Sequence, residues 1–155
     1  MNHFLFIQSD YEALQSSIDD LKEQIKQIKI KVGESTSHSS ESWHDNIEHE
    51  ELMRRHDLYM THLRDKEQIQ RSAKVVAKEN SKDTIGLGSK VFYEDDNGTE
   101  LSIAVGSYRV FSEDPTLISY ASPLGELFIG HKTDDTITGV IGGKKRHYTI
   151  VAVEN

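Results

Sequence analysis

The sequence predicts an α+β protein: an N-terminal antiparallel α-helical coiled-coil hairpin, then a small antiparallel β domain carrying one short helix. Three observations predict it. Apolar residues recur at alternating three- and four-residue steps as far as Val32, a polar tract then breaks the pattern, and beyond Asn80 the period drops to two. Nine of the ten glycines and both prolines fall after Asn80, where a strand-and-turn region needs them. The expected division is 1–80 for the hairpin, with its tip at about 33–45, and 81–155 for the β domain.

In the first helix the apolar positions are Leu14, Ile18, Leu21, Ile25, Ile28 and Val32, a spacing that puts one narrow stripe on a single side. Asp19, Asp20, Lys22, Glu23, Lys26, Lys29 and Lys31 fill the positions between and keep the opposite side wet. Gly33 is expected to stop this helix. The run Glu34–Glu41, ESTSHSSE, reads as the hairpin turn, because Ser and Thr favour caps over helix interiors. A second helix is expected from about Asp45 to Ala77, with Leu52, His56, Tyr59, Leu63, Gln70 and Ala73 on its seam. Helices of this length joined by a short turn lie antiparallel and reach roughly 40 Å at about 1.5 Å per residue. The stripe serves an intramolecular hairpin or a dimer; the short turn favours the hairpin and a monomer.

Past the linker at 78–83, Lys90–Tyr93, Glu100–Val110, Leu117–Tyr120, Thr136–Ile141 and Arg146–Val153 alternate or are β-branched, which predicts strands. Asp96-Asn97-Gly98 supplies a tight hairpin turn, and Gly142-Gly143 a second one. Ser122-Pro123-Leu124-Gly125-Glu126-Leu127-Phe128-Ile129-Gly130 reads as N-cap, proline at the first helical position, an apolar turn and a glycine stop.

Composition narrows the function classes. A formal charge of -8 opposes a duplex-binding surface, since phosphate affinity comes mainly from Lys and Arg displacing counterions. The chain has no Cys, hence no disulfide framework or thiolate metal site, and a reducing, cytoplasmic compartment is expected. Phe4-Leu5-Phe6-Ile7 is too short for a signal-peptide core, and no apolar run approaches membrane-spanning length.

Several residues admit two readings. Glu41, Asp45 and Glu48 either carry function or complement a helix N-terminus electrostatically. Asn46 and Glu48 either contact a partner or hold the tip through side-chain hydrogen bonds. His38, His44, His49, His56 and His62 invite a metal reading, but Met53 stands where a His-Glu-x-x-His motif starting at His49 needs its second His, so solvated histidines are expected. Trp43 suits a partner pocket or the hairpin's apolar end. Gly86-Leu87-Gly88-Ser89-Lys90 lacks phosphate-loop spacing and reads as a turn. Lys144-Lys145-Arg146 forms a small basic patch able to touch nucleic acid weakly or an acidic partner.

Two stretches resemble the Gre family of bacterial transcript-cleavage factors. Asp45-Asn46-Ile47-Glu48-His49 is similar to the family's tip signature of an acidic residue, Asn, a small or apolar residue, Glu and an aromatic. Ser122-Pro123-Leu124-Gly125, Ile129-Gly130-His131, Asp134-Asp135 and Gly142-Gly143 are similar in order and spacing to its C-terminal domain. The resemblance implies an FKBP-like C-terminal domain that docks on RNA polymerase through Ser122, Pro123, Leu124, Gly125, Ile129 and Gly130. It also implies a coiled-coil tip that enters the polymerase's secondary channel. There Asp45 and Glu41 would help hold the polymerase's own Mg2+, a hard ion needing few protein carboxylates, and stimulate cleavage of backtracked RNA near its 3′ end. The chain itself would be no enzyme and carry no cofactor of its own. Ser42 stands where the family places an Asp, and the nearest carboxylate, Glu41, is one residue earlier. The alternatives are a Gre-fold regulator that occupies the channel without cleavage and, on fold analogy alone, an FKBP-like isomerase or chaperone.

Overall fold

The computed structural model describes residues 3–37, 43–78 and 83–155. Chain contacts divide it into two compact units, Ala13–Ser72 and Met1–Glu12 with Ala73–Asn155.

In the helical unit, α1 (Gln8–Ser37) and α2 (Trp43–Arg71) form the expected hairpin. Their antiparallel pairing shows in Lys22 reaching Glu67 at 3.6 Å while Ile28 and Lys31, further along α1, share a groove with Tyr59 and Arg55. The stripe is the interior: Leu14, Ile18, Leu21, Ile25 and Ile28 are each at most 8% exposed. Burying each such side chain contributes about 1.5–3 kcal/mol relative to leaving it in water. On α2 the expected seam residues Leu52, His56, Tyr59, Leu63 and Gln70 are buried or half-buried, while Ile69, which the expected seam omits, is buried and Ala73 lies beyond the helix.

Two helix boundaries differ from expectation. Gly33 does not stop α1, which runs on to Ser37. A helical glycine costs only about 1 kcal/mol relative to Ala, and Gly33 has open space where a Cβ would stand, so nothing forces the chain to turn there. The second helix ends at Arg71 rather than near Ala77, because Ala73–Val75 form β2 and pair in parallel with β1 (Phe4–Phe6). A partner edge remote in sequence outweighs the local helical pattern.

In the other unit, β3 (Lys90–Glu94), β4 (Glu100–Gly106), β5 (Leu117–Ser119), β6 (Thr136–Ile141) and β7 (Lys144–Glu154) make a five-stranded sheet in the order β5-β4-β3-β7-β6. It is antiparallel except for the β4–β5 pair, where the loop after Gly106 brings the chain back in parallel register. The β3–β4 turn is closed by Asp95, whose carboxylate accepts the Asn97 and Thr99 amides at 2.9 and 3.0 Å, with Gly98 at φ 72. The β6–β7 turn uses Gly142 and Gly143, both at positive φ. One face of the sheet buries Val91, Tyr93, Ile103, Val105, Ile137, Tyr148 and Ile150, and Phe128 of α3 (Pro123–Phe128) closes over them. Between Phe92 and Tyr93 the β3–β7 register shifts, leaving Val151 as the extra residue of a bulge.

The N-terminal strand is tied into this unit by a network not signalled in the sequence. Leu5 donates its amide to the Tyr120 hydroxyl at 3.1 Å and accepts from the Tyr108 amide at 3.0 Å. Ile7 donates to the Ser107 hydroxyl at 2.9 Å, and that hydroxyl donates to the Asp10 carboxylate at 2.5 Å.

Candidate functional site

The predicted tip lies only partly within the described residues. Glu41 and Ser42 fall outside them, and of Asp45 and Asn46 only the helical backbone at the start of α2 is described. Further along, in the second turn of α2, Glu48 is exposed and Ile47 is 46% exposed, a carboxylate beside an apolar side chain. His38 and the side chain of His44 lie outside the described residues; His56 sits half-buried with Nδ1 3.3 Å from Asp57, while His62 is exposed. Among the described residues no group of three or more His, Asp or Glu side chains is arranged to hold a metal ion.

The residues expected to dock are brought together at α3, and several are also needed by the fold. Ser122 caps the helix: its hydroxyl donates to Ser119 O at 2.6 Å and accepts from the Gly125 amide at 3.1 Å, with Pro123 next. Gly125 is obligatory, because a Cβ there would stand 2.2 Å from the Ser119 carbonyl oxygen. Leu124 packs on the core. What remains outward is Pro123, Glu126, Ile129 and Gly130, a small surface of apolar residues with one carboxylate.

The loop after α3 is ordered by its acids. Asp135 accepts the Lys132 amide at 2.8 Å and faces His131 Nδ1 at 3.2 Å. The Lys132 amide first, then the His131 side chain, hold its carboxyl below the ordinary carboxylate value. Asp134 takes φ 71, a left-handed conformation that Asp tolerates better than most residues. Lys144 and Lys145 are exposed beside the Gly142-Gly143 turn, where the basic patch was expected. Gly86–Ser89 is the expected turn into β3, with the Ser89 hydroxyl accepting the Gly86 amide at 2.9 Å. Of the aromatics an isomerase pocket would need, Tyr93, Phe128 and Tyr148 are buried against one another edge to face, with centroids 5.0 to 5.6 Å apart. Burial also raises the Tyr93 phenol above its ordinary value.

The described residues thus hold a long helical hairpin and a small β unit with a capped, partly apolar helix. Residues 80–155 match the family "Transcription elongation factor, GreA/GreB, C-term". Residues 80–155, just under half of the chain, are thus a GreA/GreB-type C-terminal domain. Its relatives include proteins named Transcription inhibitor protein Gfh1 from Thermus aquaticus and Thermus thermophilus, each 36% identical over 85 residues. That match covers 53% of this chain and 54% of each relative, so the chain spans about half the length of the curated relatives it matches. Among solved structures, that of the transcription factor Gfh1 is 26% identical, covering 99% of both chains at a TM-score of 0.46. A GreA/GreB elongation factor from Nitrosomonas europaea is 16% identical, covering 100% of both chains at a TM-score of 0.43.

Proposed function

We propose that this protein regulates transcription by binding RNA polymerase, with the β unit docking through α3 and the hairpin tip occupying the secondary channel. The observation that carries the proposal is the family match over residues 80–155, which embraces the whole α3 docking motif. On the protein side the outward Pro123 and Ile129 supply apolar contact, and the Ser122 cap and Gly125 hold them in place. Core RNA polymerase should bind the full chain, and Ile129→Asp should weaken binding about tenfold or more by placing a charge in a buried apolar contact. Unchanged binding by Ile129→Asp would remove α3 from the interface.

At the tip, two outputs are distinguishable. In the cleaving reading Glu41 and Asp45 hold the polymerase's Mg2+, which supplies activation of the attacking water, while the chain contributes only carboxylates and their placement. In the non-cleaving reading the tip fills the channel and slows nucleotide addition. Two observations favour the second: Ser42 stands at the position where the family carries an Asp, and the relatives at 36% identity bear the name of transcription inhibitors. A misplacement of about 1 Å can cost on the order of a hundredfold in rate, so a carboxylate offset by one residue is a serious handicap to catalysis. Stalled, backtracked elongation complexes with Mg2+ decide the matter. Inhibited extension without RNA shortening supports channel occupancy; shortening that Asp45→Asn or Glu41→Gln abolishes restores the cleaving reading.

A further inference from the structure

Beside β1 and β2 lies an open cavity of about 480 Å³ that the proposed function leaves unused, lined by His3, Phe4, Leu5, Lys74, Tyr108 and Tyr120. Its volume falls in the range of roughly 300–1,000 Å³ that small-molecule sites occupy. Two features of its lining define what fits.

The first is an aromatic cluster. Phe4 and Tyr108 stack on each other with ring centroids 4.0 Å apart and planes 23° from parallel, and Tyr120, 6.4 Å from Tyr108, is tilted 55° to it. The cluster is held by backbone, since Leu5 bonds both the Tyr108 amide and the Tyr120 hydroxyl. Stacked rings on a fixed strand accept a further planar ring at little ordering cost.

The second is a polar complement weighted to donors. Lys74 can only donate. Tyr120 Oη already accepts from the Leu5 amide, which leaves its O–H to donate. A cavity that presents an ammonium and a phenolic donor suits an acceptor-rich anion at close range, while the net charge of -8 opposes it at long range.

We propose that this cavity binds a nucleoside phosphate, its base against the Phe4–Tyr108 pair and its phosphate on Lys74 and the Tyr120 hydroxyl. A free nucleotide and the phosphorylated end of a single-stranded RNA share this chemistry. Lys74 pairs with Leu5 through its backbone, and its side chain is exposed, so replacing it leaves the β1–β2 pairing in place.

The test is a titration of the full chain with AMP, adenosine, inorganic phosphate and a 5′-phosphorylated adenylate trinucleotide, followed by amide NMR shifts. AMP should give saturable shifts centred on Leu5, Lys74, Tyr108 and Ala121, with adenosine and phosphate each at least about tenfold weaker. Lys74→Ala should weaken AMP by about three- to tenfold and leave adenosine unchanged, whereas Phe4→Leu should weaken both. A trinucleotide that outcompetes AMP assigns the site to RNA ends; one that does not assigns it to free nucleotides. AMP shifts that do not saturate by about 10 mM, that map elsewhere, or that Lys74→Ala leaves unchanged overturn the proposal.

Discussion

Replacing Ser107 by Ala tests how the N-terminal strand is held in the β unit. Ser107 is fully buried, and its hydroxyl accepts from the Ile7 amide at 2.9 Å and donates to half-buried Asp10 at 2.5 Å. Its own amide also donates to Asp10 at 3.2 Å. Alanine leaves the Ile7 N–H without that acceptor, a loss of about 1–3 kcal/mol, and removes one bond to a carboxylate, worth about 1.5–3 kcal/mol. Water reaching half-buried Asp10 recovers part of this, so the expected destabilisation is about 2–4 kcal/mol. Urea unfolding followed by tyrosine near-ultraviolet circular dichroism reads the β unit, and hydrogen exchange at the Ile7 amide reads the latch itself. Asp10→Ala should act on the same network, and a cycle of the two substitutions should show a coupling of at least about 1 kcal/mol. Stability of Ser107→Ala within about 0.5 kcal/mol of the parent, with Ile7 protection unchanged, would refute this account of the latch.

Other expectations concern close packing and pH. Gly125→Ala should cost more than about 3 kcal/mol in urea unfolding, because its Cβ meets the Ser119 carbonyl oxygen at 2.2 Å and the backbone must move. Gly139→Ala should cost less, about 1–2 kcal/mol, since the obstructing atom at 2.5 Å is the end of the Leu127 side chain, which can rotate away. In a carboxyl NMR titration Asp135 should ionise below the ordinary Asp value. Because the folded value is depressed, its contribution to stability is present above the unfolded value and lost as pH falls through the folded one, and Asp135→Asn should abolish that dependence. Tyr93 has the opposite sign: burial raises its folded value, so its contribution is complete below the unfolded tyrosine value and declines as pH rises. Ultraviolet difference titration should show a late-ionising component that Tyr93→Phe removes.

Local pattern determined most of the architecture. The α1 stripe from Leu14 to Ile28 is buried as spaced, β6 occupies its expected span, and Ser122-Pro123 caps α3 where the motif placed it. Each of these depends on interactions within a few residues, and period, caps and turn glycines record such interactions in order along the chain. The tip motif, with Asp45, Glu48 and the departure at Ser42, is a contiguous string in the sequence, and its test is the cleavage assay. Tertiary structure decided what depends on partners distant in sequence. Phe4–Phe6 became a strand only because Ala73–Val75 and Tyr108 meet it, and the same pairing ended α2 before Ala77. Ser107 and Asp10, 97 residues apart, carry no shared local signal, and neither do Phe4, Lys74 and Tyr108 around their cavity. Such groups gain meaning only when burial brings them together, since the free energy that selects them comes from packing and hydrogen bonds that the unfolded chain does not possess.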